Sequence, residues 1–250
     1  MKKCKALLTA VMVTATALSI PYHTVNAEGS YEMNISIDLA GETKEISPYI
    51  YGINQYGNQG NYKNVTVNAV RQGGNRMVAY NWENNASNAG ADWKHSSDNN
   101  LSNSDEPGDC VQVLSKEAAT YGIDYKMTTL QLAGYVSADK NGAVSEEEAA
   151  PSDRWNEVVL TKGSEFSETP DLTDGKVYMD EYVNFIINTL GDSTTATGIQ
   201  GYSLDNEPAL WSSTHPRIHP ELTTIEELHS KSIEMATAVK KLDPNAEIFG

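Results

Sequence analysis

Short apolar runs ending in polar or carboxylate-bearing turns, separated by segments of helical spacing, most restrict what this chain can fold into. Tyr49–Ile53, Val65–Arg71, Tyr125–Leu132 and Ile199–Leu204 have the length and composition of buried strands, and Ile248–Phe249 starts one more. Between them, Val111–Tyr121 and Val177–Leu190 place apolar residues at helical intervals. Each is followed by a glycine positioned to stop a helix, Gly122 and Gly191. Thr223-Thr224-Ile225-Glu226 reads as a capping box opening a third helix, with Leu228, Met235, Val239 and Leu242 on one face. Strands alternating with helices predict a parallel sheet with helical crossovers, in the α/β class. Folds of that class carry their chemistry beyond the C-terminal ends of the strands. Met33–Leu39 alternates apolar and polar residues and predicts a separate, half-buried strand.

The first 27 residues read as a secretory leader. Lys2, Lys3 and Lys5 precede an apolar run from Ala6 to Ile20, and Val25-Asn26-Ala27 forms a small-residue cleavage site. The run is broken by Thr9, Thr14, Thr16 and Ser19, and a spanning helix wants about 20 predominantly apolar residues. A secreted, extracellular protein with no membrane partner is expected. Losing the three lysines and no acidic residue moves the formal net charge from −16 to −19. A surface so negative repels phosphate backbones, which excludes nucleic acid as a partner. Cys4 leaves with the leader, so no disulfide partner for Cys110 is expected within this stretch. The final run Asn245–Gly250 follows a helix-ending Asp243-Pro244 and reads as a strand beginning, so a fragment of a longer protein is expected.

The chemistry concentrates in Gly201-Tyr-Ser-Leu-Asp-Asn-Glu-Pro208. A buried strand delivers Asn206 and Glu207 to its C-terminal end, where Pro208 stops the ladder. A carboxyl partly desolvated at such a rim favours its protonated form, and so can donate a proton to a leaving oxygen. Asn206 is placed to hydrogen-bond a sugar hydroxyl beside the bond being cut. Asp205 is read as a structural carboxylate rather than a nucleophile. Arg71, ending an earlier strand, suits holding a carboxylate ionised, although a structural ion pair accounts for it equally well. Trp82, Trp93, Trp155 and Trp211 lie past strand ends, where flat rings can stack on sugars or pack internally. The polar stretch Asn81–Gly108 and the acidic run Glu146–Glu148 read as solvated loops, with a cleft wall as the alternative.

Two blocks resemble glycoside hydrolase family 44. One is Tyr202-Ser-Leu-Asp-Asn-Glu-Pro-Ala-Leu-Trp211 with Thr214-His-Pro-Arg-Ile-His-Pro220. The other is Arg71-Gln-Gly-Gly-Asn-Arg76 with Tyr80-Asn-Trp-Glu-Asn-Asn-Ala-Ser-Asn-Ala-Gly90. The resemblance implies a (β/α)8 TIM barrel with a small β-sandwich. Residues 28–47 would supply sandwich strand structure, and 48–250 the first half of the barrel, strands one to about five. It implies a retaining endo-β-1,4-glucanase or xyloglucanase with Glu207 as acid/base and Asn206 as its sugar-binding neighbour; Arg71, Trp82 and Trp211 are further candidates for contact with the substrate. A retaining enzyme needs a second carboxylate about 5–5.5 Å from the first. The resemblance puts that nucleophile on a late strand beyond residue 250, so the chain by itself is expected to be inactive.

The same resemblance implies no cofactor for the chemistry, a polysaccharide as partner, and a monomer. It also allows a structural calcium ion, for which Glu83, Asp171 and Asp174 offer hard oxygen ligands, with a solvated acidic loop as the default reading. His215 and His219 are denied a helix by Pro216 and Pro220, which argues against a zinc pair and for loop stiffening or substrate lining. Two other functions remain open at this level: a non-catalytic carbohydrate-binding barrel, and a xylanase or mannanase of the same superfamily.

Overall fold

The structure is a computed structural model and describes residues 35–36, 41–54, 66–167 and 169–250. The predicted leader lies outside these residues, as does all but Ile35 and Ser36 of the predicted strand Met33–Leu39. The unit from Glu45 to Gly250 is built on five parallel strands in sequential order. They are β1 (Gly52–Asn54), β2 (Ala69–Arg71), β3 (Tyr125–Leu130), β4 (Gly201–Leu204) and β5 (Glu247–Phe249). Their register places Gly52 beside Ala69, Ala69 beside Tyr125, Met127 beside Gly201, and Gly201 beside Glu247. Parallel neighbours need long crossovers, and helices supply them: α1 (Asp109–Tyr121) before β3, α2 (Met179–Leu190) before β4 and α3 (Ile225–Leu242) before β5. Among the described residues no helix is long and apolar enough to cross a membrane.

The local chemistry of each element follows from its sequence, with informative shifts. Ser47-Pro48 begins a 3-10 turn rather than a strand: the fixed φ of proline suits a first turn, and the Ser47 hydroxyl accepts the Tyr49 N–H. The predicted strand Tyr49–Ile53 is therefore Gly52–Asn54. Val177 is in a strand, Lys176–Tyr178, and α2 starts after it with Asp180 and Glu181 in its first turn, favourable against the helix dipole. The cap of α3 lies one residue later than predicted. Thr224 Oγ1 accepts the Glu227 N–H at 3.1 Å, so Thr224 is the N-cap, and the Glu227 carboxylate pairs with His219 and Lys231. Gly122 closes α1 in the left-handed region (φ 67°), as its position predicts.

The core forms where helices cover the sheet. Leu114 of α1, Val183 and Ile186 of α2, and Met235 and Val239 of α3 are buried in one cluster with Val70, Leu130 and Tyr202 of the strands. The polar segment Asn81–Gly108 is not the solvated loop its composition suggests. It folds into part of a small antiparallel sheet, Ser87–Asn88, Ser96–Asp98 and Gly142–Ala143. Asn81, Asn85 and Asn88 are essentially buried and replace water with backbone partners. Asn85 is the centre of this arrangement. Its Oδ1 accepts from Tyr80 Oη (2.8 Å) and the Cys110 N–H (3.2 Å), while its Nδ2 donates to Ser102 Oγ and the Ser104 carbonyl. A second small sheet, Tyr135–Ser137, Trp155–Val159 and Lys176–Tyr178, follows β3. Both small sheets grow from connections that leave the C-terminal ends of β2 and β3.

Because Asn85 also holds a left-handed backbone (φ 56°), no apolar residue replaces it without orphaning donors and acceptors. Asn85→Leu is expected to cost at least about 3 kcal/mol, read as a lowered midpoint in urea denaturation. A change within 0.5 kcal/mol would mean that the network carries no stability.

Candidate active site

Beyond Leu204 the chain leaves the pleat. Asp205 and Glu207 both take left-handed backbone conformations, φ 66° and 49°, uncommon for residues other than glycine. Alternation is broken, so the two carboxylates part. Asp205 turns inward and is 3% exposed, whereas Glu207 is exposed. This corrects the expectation of a desolvated Glu207, since burial acts on its neighbour. Burial pushes Asp205 up to about 7, against the opposing pull of the Leu132, Asn206 and Ala133 N–H groups and the Lys231 charge.

Asp205 ties two strand ends together. Its Oδ2 accepts the N–H groups of Leu132 (2.6 Å) and Ala133 (3.0 Å), just past β3, and its Oδ1 accepts the Asn206 N–H (2.7 Å). Its own N–H donates to the Leu130 carbonyl at 2.9 Å, continuing the β3–β4 ladder by one rung. On the far side of the Leu132 peptide, Lys231 Nζ donates to the Leu132 carbonyl (2.8 Å) and to Glu227 Oε1 (2.6 Å).

Asn206 links this turn to β2. Its Oδ1 accepts from Arg71 Nη2 (2.9 Å) and the Gly74 N–H (3.0 Å), which leaves its Nδ2 to donate to Glu207 Oε2 at 3.2 Å. Arg71 Nη1 donates to Asn54 Oδ1 (3.0 Å) at the end of β1. The guanidinium lies flat over Gly73. A Cβ there would come within 2.1 Å of Arg71 Cζ, so glycine is what permits the pose. Three strand ends thus present Asn54, Arg71, Gly74, Asn206 and Glu207 together. Arg71 acts on two amide oxygens here, and among the described residues no carboxylate stands within ion-pair distance of it.

Trp82 and Trp211 are both fully buried, so neither has a face to offer a sugar. Trp82 stacks on Tyr182 (5.5 Å between centroids, 11° between planes) and donates its indole N–H to the Tyr178 carbonyl. Trp211 lies beneath the site. Its indole N–H donates to the Asn206 carbonyl at 3.2 Å, and its ring meets His219 and the Lys231 ammonium. Aromatics that bury large areas next to a turn fix that turn. Trp155 is buried as well, and only Trp93 is exposed.

His215 stiffens the loop. Its Nε2 meets the Asn75 carbonyl at 2.9 Å, and burial lowers it to about 4, keeping the ring neutral. His219 pairs with Glu227 at 3.0 Å. Among the described residues no three His, Cys, Asp or Glu side chains converge on a metal-sized site. Glu83 has a buried Oε2 without a partner, but Asp171 and Asp174 are engaged by turn N–H groups of Thr173 and Lys176. Among the described residues the three are not gathered into one metal-sized group. Asn54 and the Lys231–Glu227 pair escaped the sequence reading. The pair carried a signal, an i,i+4 opposite-charge spacing on a helix; Asn54 carried none.

Known proteins share this arrangement of strands. Residues 86–250 match Glycoside hydrolase family 44. Endoglucanase A of Paenibacillus lautus is 48% identical over 97% of this chain and 35% of its own length. The crystal structure of Cel44A, a family 44 endoglucanase from Clostridium thermocellum, superposes with a TM-score of 0.77 at 53% identity. That of a Paenibacillus polymyxa family 44 xyloglucanase with xyloglucan gives 0.76 at 49%. Both structural matches cover 83% of this chain and 41% of the other, so the chain spans well under half the length of these relatives.

Glu83 yields a pH signature. Burial, then the charges of Asp174 and Glu181, raise it from 4.5 to about 8, with Lys162 opposing. The folded state therefore keeps a proton that the unfolded chain releases above pH 4.5. Stability should fall as pH rises from about 4.5 to 8. Glu83→Gln is expected to flatten that dependence, narrowing the difference in melting temperature between pH 5 and pH 8 by roughly 5 °C. Parallel melting curves for the two proteins across that range would contradict it.

Proposed function

The chain belongs to glycoside hydrolase family 44, and from that premise we propose that the protein hydrolyses the backbone of a β-1,4-glucan, cellulose-type or xyloglucan, with Glu207 as proton donor. The observation that carries this is the outward turn after β4, which presents an exposed Glu207 at a strand end with the Asn206 amide donating to its Oε2. The substrate class rests on the endoglucanase and xyloglucanase relatives.

In this reading the Glu207 proton passes to the leaving oxygen as the C1–O bond breaks, and a second carboxylate closes on C1. Glu207, now ionised, then takes a proton from water, whose oxygen displaces the enzyme carboxylate. No cofactor enters either step. Asp205 does not suit the nucleophile's role, because both of its oxygens accept backbone N–H groups in the interior. The proposal therefore assigns the nucleophile to a glutamate on a later strand, beyond residue 250, in a protein secreted to the polysaccharide.

The five strands are read as the first half of a (β/α)8 barrel. Parallel strands are ordinarily covered on both faces, yet β1 is exposed along its length and β5 largely so. Between them an open hollow of about 480 Å³ is lined by Tyr49, Ile53, Met127 and Phe249, an apolar inner face suited to closure by further strands.

In the complete protein, Glu207→Gln should lower kcat on unsubstituted oligosaccharides about 10²–10⁴-fold. Glycosides whose leaving group needs no proton should be spared by comparison. Equal losses on both would remove Glu207 from the role. Assay on carboxymethyl cellulose, xyloglucan, xylan and mannan is expected to favour the first two; dominant activity on xylan or mannan would displace the substrate assignment, and none on any of the four would favour a binding protein.

A further inference from the structure

We propose that Asp205 is the positioning residue of Glu207, holding the proton donor through the strand-end turn without touching substrate. The inference rests on the reading of Glu207 as proton donor and adds the group that sets its geometry. Glu207 is exposed, and among the described residues its carboxylate has one partner, the Asn206 amide. Its direction is therefore set mainly by its backbone, which sits in a strained left-handed well between Asn206 and Pro208. Its carbonyl accepts the Leu210 N–H at 2.8 Å, which fixes the chain after Glu207 but not the turn before it.

What holds it is the residue two positions earlier. Asp205 is also left-handed, and its carboxylate collects three backbone N–H groups: two from the end of β3 and one from the peptide that leads to Glu207. The β3 side of this clasp is fixed in turn by Lys231, which reaches from α3 to the Leu132 carbonyl. Trp211 Nε1 closes the turn from below through the Asn206 carbonyl. An amide in place of the carboxylate could not accept all three N–H groups, because its nitrogen only donates. The turn would then relax by a fraction of an ångström or more, and misplacement of about 1 Å can cost 10²-fold in rate.

The test uses the complete enzyme and two substrates: a cello-oligosaccharide, whose cleavage needs the proton, and a dinitrophenyl cellobioside, whose leaving group does not. Asp205→Asn is expected to lower kcat on the first by about 100-fold, with KM changed less than about threefold and the loss on the second under about fivefold. Asp205→Asn combined with Glu207→Gln should be no slower than Glu207→Gln alone. Lys231→Met, which removes the hydrogen bond to Leu132 together with the Glu227 ion pair and the ammonium contact with the Trp211 ring, should show a weaker loss with the same substrate pattern, and it carries the test if Asp205→Asn fails to fold. Folded variants that lose equally on both substrates, or whose losses multiply with that of Glu207→Gln, would overturn the proposal. If Glu207→Gln itself shows no dependence on leaving group, the assignment of Glu207 falls first and takes the proposal with it.

Discussion

The clasp of the Asp205 carboxylate on three backbone N–H groups is the contact on which the rest of the site depends. Each of those donors lies just beyond a strand end, where the ladder no longer supplies an acceptor. Unpaired and buried, each would cost free energy comparable to a lost hydrogen bond. A single buried carboxylate satisfies all of them, and in doing so forces the chain out of the pleat. The outward direction of Glu207 is a consequence of where Asp205 had to point.

A similar economy runs through the polar segments. Asn85, Asn81 and Asn88 lie in the interior, where each side-chain amide answers backbone groups that a helix start, a loop or a short strand leaves open. Asparagine suits this because it donates and accepts at once and tolerates left-handed backbone. A stretch that by composition resembles solvated loop is instead the scaffold packed beside the strand ends. The same logic orients Asn206. With its oxygen claimed by Arg71 and the Gly74 N–H, its amide nitrogen can face only Glu207 and whatever lies beside it.

Much of this was legible in the sequence, and for local reasons. Apolar runs, helical periodicity, the glycine stop at Gly122 and the threonine cap of α3 depend on residues within a turn or two of one another. They sufficed for an α/β sheet with helical crossovers and for Glu207 and Asn206 at the end of the fourth strand. The glycine pair after Arg71 was visible as well, though not its purpose.

What the sequence by itself determined is which residues arrive at the strand ends; only the tertiary structure decided which way they face. Arg71 meets Asn206 across 135 positions, and Asp205 reaches Leu132 across 73. No periodicity reports such a pairing. Trp82 and Trp211 read equally as platforms or as packing until Tyr182, Phe185 and His219 are brought against them. Asp205 and Glu207, two apart, would share a face by alternation alone. Three N–H groups converging on one of them at close range outweigh that local preference, and so separate a buried carboxylate from an exposed one.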